Sequence, residues 1–462
     1  MAHRTFTRAV LFSSTLLAGM GAGTLSAQAG GILVHEQSTY FQGTSFAGAA
    51  ANGPALSSMF WNPATITGQG RGLSSETNAT VIFSRSEISP LTANAVTGAN
   101  LVPLGPSGDI AKDAFVPASY YTYGWNEWLT FGLALNSPFG LVTEPRPTWA
   151  GMFYSRKSDV FTINANPNVA VKINDWLSVG VGAQVQYIRV KLHSAFPGSG
   201  VAAAFPDTLT LEGDSIDAGF TAGITITPTP WTSIGIGYRS RIDHSLEGDI
   251  FRPTFTTIAP PPLPPVPVTV PFAFVNFSAT VPLPDIATAS IRQKITETFT
   301  LLGTVEWTNW SRLGTIPIAT FPVAPDVARV PGSLPFEWRD GWLFSIGGEY
   351  QYQPNLLLRA GIGFERSPVD DRVRGTRLPD NDRLWVSAGA TYNWNERLAL
   401  EIAYSHVFVD STPINIVPGN PLFNPLLGTF VGTADSQIDI LSVALRYRWA
   451  PAAPAPAVVR KG

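Results

Sequence analysis

A short polar turn flanked by alternating apolar runs recurs along this chain, and that repetition limits the fold more than any other feature. The turns are Gly124-Trp125-Asn126-Glu127, Ile173-Asn174-Asp175-Trp176, Thr227-Pro228-Thr229-Pro230, Gln293-Lys294-Ile295-Thr296, Gln351-Tyr352-Gln353-Pro354 and Asn393-Trp394-Asn395-Glu396. Asn, Asp, Gly and Pro between period-two runs are hairpin signals. Six such turns join twelve strands. A run at 71–84 before the first and another at 436–449 after the last make fourteen. The other connections, at 86–112, 194–209, 248–278, 314–334, 368–379 and 411–434, are long and irregular. Short turns at one end and long loops at the other match an outer-membrane barrel with its loops outside the cell. The proline-rich stretch 258–271 cannot be a central strand and reads as a stiff surface loop rather than a polyproline ligand.

Composition agrees with an all-β, 14-stranded antiparallel transmembrane barrel. Charged residues are 14%, against about 25% in soluble domains, and 13 Trp and 12 Tyr accompany 42 Gly. No run of apolar residues is long enough for a spanning helix, so a helical membrane bundle is excluded. A net charge of −3 argues against nucleic acid, and the lack of Cys rules out disulfides and thiolate metal sites.

Alternation assigns the two faces of each strand. In the fifth, Leu177, Val179, Val181, Ala183, Val185 and Tyr187 share one side, and Ser178, Gly180, Gly182, Gln184 and Gln186 the other. Aromatics such as Trp176 and Tyr187 sit at its ends, the girdle of a barrel that turns its apolar face to lipid. The polar side then faces the lumen, and there the fifth strand continues as Ile188, Val190, Leu192 and Ser194. Arg189 and Lys191 turn outward, towards lipopolysaccharide. The same rule puts Glu306, Glu349, Arg359, Glu401 and Arg446 in the lumen, as charges bracing the wall or as a polar track for a ligand headgroup.

The chain start is different. His3, Arg4 and Arg8 precede a short apolar run and an Ala-x-Ala site ending at Ala29, so residues 1–29 are expected to be a signal peptide. Residues 30–70, rich in Gly, Ala and Ser, are too few to hold a core of their own and read either as a periplasmic appendix or as a plug inside the lumen. The barrel is expected over 71–449, with an Ala/Pro-rich tail at 450–462.

Four stretches make the sequence resemble the FadL/TodX family of outer-membrane transporters for hydrophobic compounds. They are the N-terminal segment with Glu36 and Asn62-Pro63-Ala64; Ser137-Pro138-Phe139-Gly140-Leu141; Glu306-Trp307-Thr308-Asn309-Trp310-Ser311; and Arg377-Leu378-Pro379-Asp380-Asn381-Asp382-Arg383, followed by Trp385-Val386-Ser387-Ala388-Gly389. The resemblance implies a hatch inside the lumen, with Asn62, Pro63 and Ala64 as its motif. It implies passive uptake of long-chain fatty acids or neutral and aromatic hydrocarbons, with sideways exit into the bilayer. It also implies that Pro138, Phe139 and Gly140 bend the third strand inward to open that exit. One departure stands out. The family's fatty-acid member carries a basic residue on the inner face near the top of strand five that helps hold the carboxylate, so the resemblance makes Ile188, Val190, Leu192 and Ser194 the candidate ligand-binding residues, with Ser194 at the matching position. Neutral ligands are therefore expected to be favoured, unless a lumen arginine substitutes.

The competing class is a general diffusion porin for small polar solutes, which needs no plug. An enzyme is not expected. The five His are His3, His35, His193, His244 and His406, and Ser405 points away from its neighbour His406. No His or carboxylate cluster has metal-ligand spacing, so no metal or cofactor is expected. The mature chain is expected to be a monomer, because closure satisfies each strand without a partner.

Overall fold

The computed structural model describes residues 31–95, 98–199, 206–258, 266–321 and 332–449. The expected signal peptide, the C-terminal tail and residues 259–265 of the proline-rich stretch lie outside them.

The described residues form fourteen antiparallel strands in one closed wall. They are β1 (Gly72–Asn94), β2 (Ala114–Gly124), β3 (Leu129–Asn136, resuming at Gly140–Thr143), β4 (Lys157–Lys172), β5 (Leu177–Ala195) and β6 (Thr208–Thr229). Next come β7 (Thr232–Arg239 and Ile242–Arg252), β8 (Ala273–Leu283 and Ile286–Lys294), β9 (Phe299–Thr308) and β10 (Gly341–Gln353). The last four are β11 (Leu356–Arg366), β12 (Arg383–Asn393), β13 (Leu398–Val409 and Thr412–Ile416) and β14 (Thr429–Arg448). Each strand pairs with its sequence neighbour, and β14 returns to β1 from Ser74↔Arg448 to Asn94↔Thr429. The meeting of β14 with β1 removes the two terminal sheet edges, where each unpaired backbone group in lipid would cost several kcal/mol. All six short turns fall between the expected strand pairs.

Burial follows the alternation. On β5, Gln184, Gln186 and Ile188 are buried, whereas Val181 and Val185 are 56% and 49% exposed. Trp125, Trp128, Trp176, Trp231 and Trp394 stand exposed around the short-turn end. This is the interfacial girdle of a barrel with a lipid-facing exterior. Loop residues cap the other end; Phe255–Ile258 pairs with Pro267–Val270 in a small hairpin flanking the proline-rich stretch.

The N-terminal segment fills the lumen. Residues 31–51 are buried throughout, on a path of one short helix, α1 (Thr39–Gln42), and successive turns. Two 3-10 turns follow, at Leu56–Phe60 and Pro63–Gln69. Tyr40, Phe41, Phe46, Phe60, Trp61 and wall residue Trp385 form its aromatic core. Edge-to-face contacts such as Phe41–Trp61 at 5.6 Å and Phe46–Trp385 at 5.4 Å fix the rings.

Candidate ligand path and lateral window

The third strand breaks where the sequence places a bend. Up to Asn136 it pairs regularly with β4, and pairing resumes at Gly140↔Phe161. Three residues, Ser137 to Phe139, then oppose two on β4, Thr162 and Ile163. That is a one-residue bulge, which kinks a strand and shifts its faces. Pro138 has no N–H to give the ladder, and Thr162 Oγ1 satisfies Phe139 instead, accepting from its N–H at 3.0 Å and donating to its carbonyl at 2.6 Å. The bend thus sits on Ser137–Phe139. Gly140, expected as part of it, already pairs regularly, and a Cβ there would make only ordinary contacts, the nearest 3.6 Å away.

Past the bulge, Phe139, Gly140, Leu141, Val142 and Thr143 are all buried, so both faces of the segment lie inside the wall. β2 pairs with β3 only from Ser119↔Leu135 to Gly124↔Thr130, although its pairing with β1 continues up to Ala114. The ladder between β2 and β3 lapses above Ser119 and is re-made by the bridge Ala111↔Thr143. The result is a window in the wall, bounded below and above. The hatch backs it from inside: Val34 N–H donates to the Pro138 carbonyl at 2.9 Å, and Gly140 N–H to the Ile32 carbonyl at 2.9 Å.

The fifth-strand residues face inward as expected. Ile188 joins an apolar cluster with Leu33, Phe139, Leu141, Val160, Leu246 and Trp310, and Val190 packs against it. Leu192 packs against a second cluster of Phe196, Leu209, Leu211, Ile250 and Phe277. Ser194 is buried beside Leu209, its register partner. Below Ile188 the same wall is a polar lattice of Asn164, Asn166, Asn168, Gln184 and Gln186. Arg189 and Lys191 do turn outward, but each faces a carboxylate: Arg189 lies 3.6 Å from Asp159, and Lys191 pairs with Glu212.

The lumen charges meet the hatch and one another. Glu306 accepts from Thr288 Oγ1 at 2.8 Å and pairs with His35 Nε2 at 2.8 Å. Glu349 accepts from Tyr40 Oη at 2.5 Å and pairs with Arg292. Arg359 is the register partner of Glu349, yet its guanidinium lies 4.0 Å from the Tyr40 ring and donates to Thr391. Arg446 donates to the Pro54 carbonyl and lies 3.6 Å from Glu401. These groups act as fastenings between wall and plug. The motif Asn62-Pro63-Ala64 is another: Asn62 caps the second 3-10 turn by accepting from Ala64 N–H at 3.0 Å. Its amide also donates to the carbonyls of Ala50, at 2.7 Å, and wall residue Ile224, at 2.8 Å.

His35 adds a titratable fastening. Glu306 and Glu365 lie 2.8 and 3.8 Å from its ring nitrogens, and Glu36 is its chain neighbour. Burial pulls the imidazole down, but Glu365, Glu306 and Glu36 outweigh it and raise it to about 9. Burial pushes Glu36 up to about 7, with Glu365 adding to it and His35 and Arg383 opposing. Both groups hold their proton more tightly in the folded state. The stability they supply is complete below their ordinary values, 4.5 and 6.5, and is lost as pH rises through about 7 and then 9. Single-channel conductance should therefore rise between about pH 5 and 9 as the hatch loosens, and His35→Gln should flatten the upper part of that rise. A flat wild-type profile would contradict the assignment.

Several contributors escaped sequence reasoning. Alternation could have found inward-facing Arg292 and also Glu76, which accepts from Leu56 N–H at 2.6 Å. Arg377 carried no such signal, because it sits in a loop. A Ser215–His244–Asp217 grouping also lies on the wall. Ser215 Oγ and Asp217 Oδ2 both meet His244 Nδ1, at 3.1 and 3.0 Å, while Nε2 faces Gln186. A hydrolytic relay needs nucleophile and carboxylate on opposite ring nitrogens.

A closed wall with an apolar exterior, a lumen filled by its own N-terminal segment and a window beside the kinked third strand define a plugged outer-membrane barrel. Residues 20–449 match the family model described as "Outer membrane protein transport protein (OMPP1/FadL/TodX)", and the chain belongs to that family. It is 26% identical over 425 residues to a long-chain fatty acid transport protein of Escherichia coli O6:H1, covering 86% of this chain and 91% of the relative. It is 24% identical over 450 residues to outer membrane protein P1 of Haemophilus influenzae, covering 87% and 90%. Among solved structures, a Pseudomonas aeruginosa FadL homologue has a TM-score of 0.78 at 21% identity, with 91% of this chain and 100% of that one covered. The Pseudomonas putida toluene transporter TodX has a TM-score of 0.65 at 14% identity, with 92% and 99% covered.

Proposed function

We propose that this protein is a passive channel for hydrophobic compounds, long-chain fatty acids or neutral and aromatic hydrocarbons, and not an enzyme. Ligand is collected among the long loops and lodges against Ile188, Val190, Leu192 and Ser194. It then leaves sideways through the window between β2 and β3 into the bilayer, down its gradient, from a monomer set in outer-membrane lipid and lipopolysaccharide. The observation that carries this reading is the window itself. The lapse of pairing between β2 and β3 above Ser119, beside the apolar cluster of Phe139, Leu141, Val160 and Ile188, supports a sideways exit for an apolar solute into lipid. The buried hatch argues against a general porin, since it occupies the space polar solutes would need.

The bulge provides the test. Removing Pro138 leaves two residues opposite two, so β3 can pair with β4 without a kink and stay in line with β2. Uptake of a labelled hydrophobic compound by cells carrying this deletion should fall at least tenfold, with equal amounts of heat-modifiable barrel. Wild-type uptake from the straightened strand would show that ligand leaves by another route.

A further inference from the structure

We propose that Arg377 anchors the carboxylate of a hydrophobic acid at the top of the lumen, beside Leu192 and Ser194. The inference rests on the uptake reading above and names a ligand class for it. Strand β5 brings no cation to this height on its inner face, but the loop between β11 and β12 does. The Arg377 carbonyl accepts from Thr143 Oγ1 at 2.8 Å, and its Nη1 lies 2.9 Å from the Lys157 carbonyl, 3.3 Å from Ser158 Oγ and 3.2 Å from the His193 carbonyl. That last carbonyl belongs to the peptide bond leading into Ser194.

Register fixes the side of the wall. Thr143 is opposite Ser158, and Ser158 opposite Leu192. Ser158 and Leu192 are on the inward series of β4 and β5, so the guanidinium lies on the lumen side. The same row continues through Leu211, Ile250 and Val275, which are all buried. A cation at one end of an apolar row is the layout an amphipathic acid requires.

The cation is also uncompensated. Arg377 forms no ion pair among the described residues, and its contacts with them use Nη1 alone, to two carbonyls and a hydroxyl. Nε and Nη2, the edge that takes a carboxylate bidentately, have no hydrogen-bond partner among those residues. Burial without a neighbouring acid lowers the guanidinium from its ordinary value to about 10, so it stays charged at neutral pH. Of the lumen arginines lower in the wall, Arg292 pairs with Glu349 and Arg446 with Glu401, whereas Arg359 and Arg239 form no ion pair among the described residues but are covered by hatch rings, Tyr40 and Phe60. Ser158 and Ser194 provide hydroxyls on either side of Leu192 for the remaining carboxylate lone pairs.

The test is competition binding of oleate, methyl oleate and oleylamine to the purified full chain in detergent at pH 8. The unaltered protein should bind oleate about tenfold or more tightly than the ester, the scale of a charge-assisted hydrogen bond, and the amine most weakly. Arg377→Gln should bring acid and ester to near equality, leave ester affinity unchanged and keep the heat-modifiable form, while Arg377→Lys restores part of the preference. A loop staple with no ligand role would leave the acid-to-ester ratio unmoved, and that result in folded Arg377→Gln overturns the proposal. If that variant fails to assemble, the unaltered protein still decides, because oleylamine binding as tightly as oleate excludes a cationic anchor. Ester binding without acid preference sinks the anchor alone. Binding of none of the three sinks the uptake reading and the anchor with it.

Discussion

Barrels carrying Gly235→Val and Gly237→Val together should insert with an open lumen and conduct ions far better than the unaltered protein. Both glycines lie on the inner face of β7, where the hatch backbone touches the wall. A Cβ at Gly235 would stand 1.8 Å from the Ala50 carbonyl oxygen, and one at Gly237 1.8 Å from that of Trp61. Neither oxygen belongs to a side chain that could rotate away, so the hatch must leave its seat. Overpacking typically costs about 1–3 kcal/mol per site, and a backbone collision exceeds that range. The hydrogen bond of Asn62 to Ile224, directly across from Ile236, would break with it. The wall itself tolerates the change, because valine suits a strand. Planar-bilayer conductance should approach that of a protein lacking residues 30–68. Conductance at the unaltered level from correctly inserted double-valine barrels would show that the hatch does not seal the lumen.

Glu349→Gln should cause the largest loss of stability in the lower wall. This carboxylate is 2% exposed and serves Arg292, while Arg359, its register partner, stacks on the Tyr40 ring that hydrogen-bonds to it. Removing its charge leaves two cations against one aromatic ring. Breaking a buried pair from one side costs about 3–5 kcal/mol, because the remaining charge is uncompensated. The heat-modification midpoint should drop accordingly, and adding Arg292→Leu should recover much of the loss. A midpoint unchanged by the single substitution would mean that water already screens this cluster.

The strand count, the faces and the direction of the barrel were legible because each depends on residues close in sequence. A hairpin turn such as Asn393–Glu396 and the alternation beside it are local facts. The inward placement of Ile188 to Ser194 follows from the period of two alone. Contacts made by loops were not legible. Arg377 reaches Ser158 across 219 positions and His193 across 184. Alternation describes strands, so a reading confined to β5 found one hydroxyl and no cation. The kink was only half legible. Pro138 marked it, but the decisive quantity was the count of three residues against two, and that needs the register of β4. Nor could composition show that His35 would meet a carboxylate of β9.

The hatch touches nearly the whole circumference of the wall, and this has a consequence for assembly. Leu56 N–H binds Glu76 on β1, Thr67 binds Ser178 on β5, Ala50 N–H binds Ser290 on β8, Ser45 binds Ser387 on β12, and Gln42 binds the Ile440 carbonyl on β14. β1 and β14 are the pair whose meeting closes the ring, and the hatch holds both. A stopper so broadly fastened ties the two strands that close the ring to one common piece of chain. It precedes β1 in the chain and lies inside the ring that β1 and β14 close. Moving the same residues behind β14 by circular permutation would ask a folded plug to enter a finished cylinder.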